Sequence, residues 1–231
     1  MLYFASIENI NCTDGHKTSK VRLPNFNKSL LQIMTDSLDK ILVLIEEHYD
    51  ETEYNTFNEF YPKKNIKIDY ASYLWGNESI TFEGNDKTSK VEVSICVSKV
   101  NLNDYKGLIL IGGYAMDRLR YQASIGSDGN QAPAVKLLRD AVSLMDQEKI
   151  AIGTICHSLW LFCADPTLLK GRSVTCAHNI ICDVENAGGE IIRSGDQNVD
   201  THKDGFLITG KHPGVVEVFN DLFVDCLTSI K

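Results

Sequence analysis

The sequence has little that would suit the protein to a membrane or a nucleic acid. Its 231 residues contain no apolar run of the roughly 18 residues that a membrane-spanning helix needs. The N-terminal residues lack both a basic segment and a sustained apolar core, so no secretory signal is predicted. Lys and Arg total 23 against 31 Asp and Glu, a formal net charge of −8, whereas polyanion binding depends on clustered basic side chains. We therefore expect a cytoplasmic protein without nucleic-acid or membrane partners.

Motifs that bind phosphates or metal ions are also absent from the sequence. Neither G-x-G-x-x-G nor G-x-x-x-x-G-K-[ST] occurs, so no glycine-rich phosphate loop is predicted. A metal ion needs several converging ligands, but His178, His202 and His212 are separated and form no H-x-H or H-E-x-x-H pattern. The sequence therefore indicates neither a metal centre nor an organic cofactor.

The cysteines do not form the pattern of a disulfide framework. There are 7 of them, an odd number without a C-x-x-C pair, and several lie inside apolar runs. This usage is typical of reduced thiols that pack as small hydrophobic residues. The sequence therefore predicts a core role for most of them.

From residue 40 onward the chain alternates apolar strands with helical segments. The apolar runs at 41–45, 107–113 and 150–156 predict strands buried on both faces. Helices of ten or more residues between such strands imply right-handed crossovers and a mainly parallel sheet. We therefore predict one doubly wound α/β domain over residues 39–231, with an accessory β-hairpin at 77–99.

Two helices are predicted directly after the acidic turn at 46–51 and the strand at 150–156. One covers 52–61 and is expected to stop at Pro62, and the other covers 157–170 and is expected to end at Gly171. Residues 1–38 form an N-terminal extension to which the sequence assigns no role. Within this extension the apolar spacing at 28–38 predicts a short amphipathic helix.

The segment AIGTICHSLWLF places a cysteine where a strand meets a helix. A nucleophile at such an elbow points out of the backbone and lies beside unpaired helical N–H groups. These groups stabilise a thiolate, so we expect the pKa of Cys156 to fall below about 8.5. Because adjacent side chains cannot easily face one another, His157 is expected to act through its backbone N–H or to turn toward another carboxylate.

Two further strand ends carry residues suited to chemistry. After the strand GLIL, the N–H of Gly113 together with that of His157 would form a two-donor oxyanion hole. Asp117 and Arg118 place charge near the same edge. The acidic turn at 46–51 offers carboxylates that can share a proton with a nearby sulfur. For the glycine pair alone a plain tight turn is the favoured explanation, and a surface turn explains the acidic segment at least as well.

Taken together, these segments resemble the ThiJ/PfpI superfamily, and within it the PfpI-like intracellular peptidase branch. The resemblance runs from about residue 40 to the C-terminus. It is carried by ILVLIEEHYDETE, GLILIGGYAMDRLR, GTICHSLWLFCADPTLLKGRSVT, IICDVENAGGE and GFLITGKHPGVVEVFNDLFVDCL. It implies the flavodoxin-like fold that this superfamily shares with class I glutamine amidotransferases, and a homodimer or larger homo-oligomer.

The resemblance also implies roles for individual residues. Cys156 matches the nucleophile and His157 the adjacent histidine, which a carboxylate from a neighbouring subunit orients in the peptidase branch. The matching acid is Asp117. The carboxylate that hydrogen-bonds the sulfur falls on Asp50, where the family usually has the longer Glu, and Glu51 is a substitute for it.

Three functions follow from this resemblance. The leading one is a cysteine-dependent hydrolase or a glyoxalase/deglycase-type enzyme, in which Cys156 attacks a carbonyl of a small compound or a peptide. The second is a redox sensor or stress chaperone that acts through an oxidation-prone Cys156 without turnover. The third is a glutamine amidotransferase, although those enzymes carry G-x-C-x-G where this chain has G-T-I-C-H-S.

Overall fold

The computed structural model describes residues 39–230. The predicted extension at 1–38, including the amphipathic helix at 28–38, lies outside the described residues. The strands are β1 (Asp39–Leu44), β2 (Ile66–Ser72), β3 (Ile80–Glu83), β4 (Lys90–Val93), β5 (Ile95–Cys96), β6 (Gly107–Leu110), β7 (Ala151–Ile155), β8 (Ser173–Val174), β9 (Glu190–Ile191), β10 (Arg193–Ser194), β11 (Gln197–Asn198), β12 (Thr201–Asp204) and β13 (Leu207–Gly210).

Helices connect these strands. The α-helices are α1 (Glu51–Lys63), α2 (Ala115–Leu119), α3 (Pro133–Met145), α4 (Trp160–Cys163), α5 (Ile181–Asn186) and α6 (Val216–Thr228). Short 3₁₀ turns cover Val97–Lys99, Leu102–Asp104, Pro166–Leu168, His178–Ile180 and Pro213–Val215. Within residues 39–230, every helix is too short or too polar to cross a bilayer.

A seven-stranded sheet forms the centre of the fold, in the order β12-β13-β7-β6-β1-β2-β5. Its neighbouring strands run parallel except for β12 and β13, which are antiparallel. The inner strands β1, β6 and β7 are buried along almost their whole length, as their continuous apolar runs require. The predicted doubly wound α/β fold is confirmed, and β3 and β4 form the predicted hairpin.

Two aromatic side chains of α6 pack directly on the middle of the sheet. Phe219 and Phe223 stack on each other with ring centroids 6.1 Å apart. A Cβ on Gly153 of β7 would lie 2.7 Å from Phe219, and one on Gly107 of β6 would lie 2.7 Å from Phe223. The two glycines therefore let the rings reach the strand backbone, which fixes the strands whose ends carry the site.

The predicted limits of both helices near the site were wrong. α1 begins at Glu51 and continues through Pro62 to Lys63, because a proline in the last turn removes only a hydrogen bond at the end of the helix. The predicted helix at 157–170 is reduced to α4 and one 3₁₀ turn. Asp165 is extended (φ −139°, ψ 95°), since the proline that follows disfavours helical backbone at the preceding residue.

Candidate active site

Cys156 lies at the carboxyl edge of the sheet, immediately after β7. Its φ is +60°, a left-handed conformation that costs a non-glycine residue about 1–3 kcal/mol and that clusters at functional sites. The turn is held by the Cys156 N–H, which donates to the Gly210 carbonyl at 2.9 Å, and by the Ile155 N–H, which donates to Ser158 Oγ at 2.7 Å. Since α4 begins only at Trp160, the N–H groups beside Cys156 belong to a turn and not to the predicted helix.

The thiol of Cys156 is buried, with 7% of the residue exposed. Burial is the largest cause that raises the pKa of the thiol to about 12, and ionisation of the nearby Glu53 would act in the same direction. Hydrogen bonds from the backbone N–H groups of Gly113 and His157 act in the opposite direction and lower that pKa. The prediction of a depressed pKa was therefore wrong, because it counted the N–H donors but not the burial or the neighbouring carboxyl group.

That carboxyl group belongs to Glu53, a residue to which the sequence motifs assign no role. Its Oε2 accepts the Gly112 N–H at 2.6 Å, and its Oε1 is buried without a partner among residues 39–230. A Cβ on Gly112 would lie 2.6 Å from Oε1 of Glu53 and 2.8 Å from the Cβ of Cys156, so both side chains pack against this glycine. Burial, with the charge of Asp50 second, raises the pKa of Glu53 well above its ordinary value and favours its neutral form.

Asp50 and Glu51, the acids predicted to contact the sulfur, have other partners. Asp50 caps α1, and its Oδ1 accepts the Glu53 N–H at 3.0 Å. The Glu51 carboxylate accepts the backbone N–H groups of the β3–β4 loop. Neither carboxylate hydrogen-bonds Cys156 within the described chain, and the carboxyl group that packs with Cys156 against Gly112 is that of Glu53.

His157 faces the sulfur even though it is the next residue in the chain. Its Nδ1 lies 3.0 Å from Sγ of Cys156, contrary to the expectation that adjacent side chains would not meet. The imidazole forms a cluster with two aromatic rings, with its centroid 5.9 Å from Tyr114 and 5.1 Å from Trp160. Burial lowers the pKa of His157, although the side chain of Asn179 favours the protonated ring. The resting pair is therefore a neutral thiol beside a neutral imidazole.

Asp117 is not brought to His157 within one chain. Its Oδ1 accepts hydrogen bonds from Nε and Nη2 of Arg120 at 3.1 and 2.8 Å, and half of its side chain is exposed. Nε2 of His157 has no hydrogen-bond partner in the part of the chain that the structure describes. The orienting role implied for Asp117 would thus require a second copy of the chain, and it stays a prediction.

The three histidines considered as metal ligands lie in separate places. His202 Nε2 is 2.9 Å from Ser173 Oγ, and Nδ1 of His212 accepts the Gly214 N–H at 3.0 Å. His178 begins a 3₁₀ turn. Between residues 39 and 230, no three His, Cys, Asp or Glu side chains are grouped so that they could hold a metal ion.

Comparison with known proteins places these features in one family. The family model described as "DJ-1/PfpI family" matches residues 39–225. The chain is 26% identical over 181 residues to Protein/nucleic acid deglycase 2 of Escherichia coli (strain K12), covering 78% of this chain and 93% of that protein. It is 24% identical over 181 residues to General stress protein 18 of Bacillus subtilis (strain 168), with the same coverage of 78% and 93%.

A solved structure shows the same fold. The chain superposes with a TM-score of 0.69 and 19% identity on a two-domain protein from Anabaena variabilis that contains DJ-1/ThiJ/PfpI-like and ferritin-like domains. The match covers 82% of this chain and 48% of the Anabaena chain, so it spans about half of that protein. At this identity the likeness bears on the fold alone.

Proposed function

The chain belongs to the DJ-1/PfpI family, and we propose that it is a cysteine-dependent enzyme that acts on carbonyl groups. It is either a hydrolase of peptides or a glyoxalase/deglycase-type enzyme for small carbonyl compounds. The observation that carries this proposal is the 3.0 Å contact between Sγ of Cys156 and Nδ1 of His157. A nucleophile within hydrogen-bonding distance of a base is the basic arrangement of covalent catalysis.

The neutral state of both groups determines how the thiol is activated. Because the pKa of Cys156 is raised and that of His157 is lowered, the proton leaves the sulfur only as the sulfur attacks. Nδ1 of His157 accepts this proton while the S–C bond forms and the π electron pair of the carbonyl moves to its oxygen. General base catalysis of this kind contributes about 10²–10⁴-fold.

The oxyanion that forms needs hydrogen-bond donors at the same place. The N–H groups of Gly113 and His157, which contact the sulfur in the resting site, supply two donors for it. One preorganised donor of this kind is worth roughly 10²–10³-fold in kcat. The neutral Glu53 adds no negative charge beside the oxyanion, which a carboxylate would destabilise.

The two substrate classes then diverge from this common adduct. With a peptide, the C–N bond breaks, His157 returns its proton to the leaving amine, and water hydrolyses the thioester to an acid and the free thiol. With a 2-oxoaldehyde, the adduct is a hemithioacetal whose C1 proton moves to C2 through an enediol. The resulting thioester is hydrolysed to a 2-hydroxy acid, so both routes consume only substrate and water.

The E. coli relative is named a deglycase, which supports the small-carbonyl branch of the proposal. The B. subtilis relative is named a general stress protein, which agrees with a role in stress but does not specify chemistry. A redox sensor at Cys156 is less well supported, because oxidation follows thiolate character and exposure and this thiol is buried with a raised pKa.

Steady-state assays with methylglyoxal and with a reporter peptide test the proposal. We expect turnover of at least one substrate by the wild type and none by Cys156→Ser, whose circular dichroism should be unchanged. Cys182→Ser changes an exposed cysteine and should retain full activity. Equal rates for the wild type and Cys156→Ser would overturn the proposal.

A further inference from the structure

The loop at the tip of the β3–β4 hairpin folds over the carboxyl edge of the sheet, beside Gly113. The His48 N–H donates to the Glu83 carbonyl at 2.8 Å, and the Asn85 N–H donates to the Tyr49 carbonyl at 3.0 Å. These bonds join the hairpin to the segment between β1 and α1. The loop at 84–89 therefore lies beside Gly113, whose backbone N–H contacts the sulfur of Cys156.

A buried carboxylate holds this loop in place. The oxygens of Glu51 accept the N–H groups of Asp86, Thr88 and Ser89 at 2.7, 2.8 and 2.7 Å and the Ser89 hydroxyl at 3.1 Å. Burial opposes the ionisation of Glu51, but these hydrogen bonds outweigh it and hold the pKa of its carboxyl below the ordinary value. The hydroxyl of Tyr49 adds a further contact to Ser89 at 2.8 Å, so the loop conformation is fixed by two side chains from outside it.

The loop presents one side-chain amide to the site. Nδ2 of Asn85 would lie 2.9 Å from a Cβ placed on Gly113, which brings the amide against the residue that supplies one oxyanion donor. Asn85 is exposed, and its side chain forms no hydrogen bond with any other residue from 39 to 230. The amide is therefore held beside Gly113 by its backbone, while its donors and its acceptor form no hydrogen bond within residues 39–230.

We propose that Asn85 is a substrate-binding residue and that Glu51 is the positioning residue that holds it there. The inference rests on the proposed function, and it adds a third hydrogen-bonding group to the N–H groups of Gly113 and His157. Those two donors take the oxygen of the attacked carbonyl. The Asn85 amide takes a second polar atom next to it, which is the other carbonyl oxygen of a 2-oxoaldehyde or the neighbouring amide of a peptide.

Kinetics of Asn85 variants test this role. We expect Asn85→Ala to lower kcat/KM for the active substrate by about tenfold or more, as loss of a directed donor does. Asn85→Asp should lower it further, because a carboxylate offers no donor and repels the developing oxyanion. Lys87→Asn is the matched control, since it alters an exposed residue of the same loop at a φ of +57° that asparagine tolerates, and it should leave kcat/KM unchanged.

A double-mutant cycle separates positioning from a general structural effect. Glu51→Gln should lower kcat/KM in the wild-type background but cause little further loss in the Asn85→Ala background, because both changes remove the same contact. The rate of Cys156 alkylation by iodoacetamide should stay within about twofold in Asn85→Ala, since the thiol and its base are untouched. Independent, multiplicative losses in the cycle would overturn the positioning role of Glu51.

Failure of this inference can be told apart from failure of the proposed function. Normal kcat/KM in both Asn85 variants, with an active wild type, would overturn the inference alone. A wild type without turnover of methylglyoxal or peptide would overturn the proposed function and this inference with it.

Discussion

Sγ of Cys156 lies 3.0 Å from Nδ1 of His157, although the two residues are adjacent in the chain. The left-handed backbone at Cys156, with φ +60°, turns the two side chains to the same side. Two aromatic rings then hold the imidazole in that orientation. A single turn thus places the nucleophile and its base, and burial of that turn is the main cause of their shifted pKa values.

Removal of the imidazole should abolish most activity without disturbing the backbone donors. We expect His157→Ala to lower kcat by about 10²–10⁴-fold, because the N–H of residue 157 remains while the base is lost. Steady-state kinetics with the active substrate measure this effect. His178→Ala, which removes the histidine of the neighbouring turn, should leave kcat within a few-fold. A His157→Ala variant as active as wild type would show that another group accepts the thiol proton.

The pH dependence of activity should follow the neutral imidazole. Burial lowers the pKa of His157 from its ordinary 6.5, so the ring stays neutral, and able to accept a proton, to a more acidic pH than a free histidine. We expect kcat/KM to rise with pH through a midpoint below 6.5 and to be level at pH 7. A pH profile from 5 to 8 checks this, and a midpoint above 7 would contradict the neutral-pair mechanism.

The thiols should differ in reactivity in an order that the sequence did not suggest. Burial opposes ionisation of Cys96, but hydrogen bonds from Ser98 and the Leu74 N–H outweigh it and lower the pKa of this thiol. The pKa of Cys156 is instead raised to about 12. We therefore expect iodoacetamide at pH 7.5 to label Cys96 before Cys156, as peptide mass spectrometry can measure. Faster labelling of Cys156 would show that its thiolate is stabilised in solution.

The sequence predicted the sheet and the position of Cys156, but the acids that the resemblance placed at the sulfur, Asp50 and Glu51, hydrogen-bond other groups. Continuous apolar runs identify buried strands directly, and parallel strands bring their carboxyl ends to one edge, so the place of the site follows from the pattern. The acid came from matching the chain to the family, which placed the partner of the sulfur on Asp50. The structure makes Asp50 the cap of a helix that begins at Glu51.

A capping interpretation of the same segment predicts the role of Asp50 but not the position of Glu53 beside Cys156. In D-E-T-E, an Asp followed three residues later by Glu is the sequence signature of a helix N-terminus, and Asp50 does accept the Glu53 N–H. Burial of Glu53 against Gly112 and Cys156 depends on tertiary packing, which no local pattern encodes. The pKa of Cys156 could not be predicted for the same reason, since burial is its largest cause.

The raised pKa of Glu53 has a consequence for stability. The folded state keeps the Glu53 proton to a higher pH than the unfolded chain, whose carboxyl has the ordinary value of 4.5. The contribution of Glu53 is therefore full below pH 4.5 and is lost as the pH rises toward the folded pKa, by at most about 1.4 kcal/mol per pH unit. Glu53→Gln can still accept the Gly112 N–H but does not ionise.

We therefore expect the difference in unfolding free energy, Glu53→Gln minus wild type, to increase between pH 5 and pH 7.5. Urea denaturation at a series of pH values measures it. Asp50 and Glu51 keep their carboxyls in both proteins, so their own titration largely cancels in the difference. A constant difference over this range would mean that Glu53 is ionised in the folded protein at pH 5 as it is in the unfolded chain.

Gly113 should be the glycine at which a side chain is least tolerated. Its φ is +73°, and a Cβ there would overlap the His48 carbonyl oxygen and lie 2.8 Å from the Asp50 backbone nitrogen. Gly171 provides a matched control, because its φ is +74° but a Cβ would meet no atom within 4 Å.

Gly171→Ala should therefore show only the left-handed backbone cost of about 1 kcal/mol. Gly113→Ala should lose at least about 2 kcal/mol more, together with activity, because the clash displaces the segment that carries the oxyanion N–H. Thermal denaturation of the two variants measures the contrast, and equal losses would show that backbone conformation alone, and not close packing against His48, requires glycine at this position.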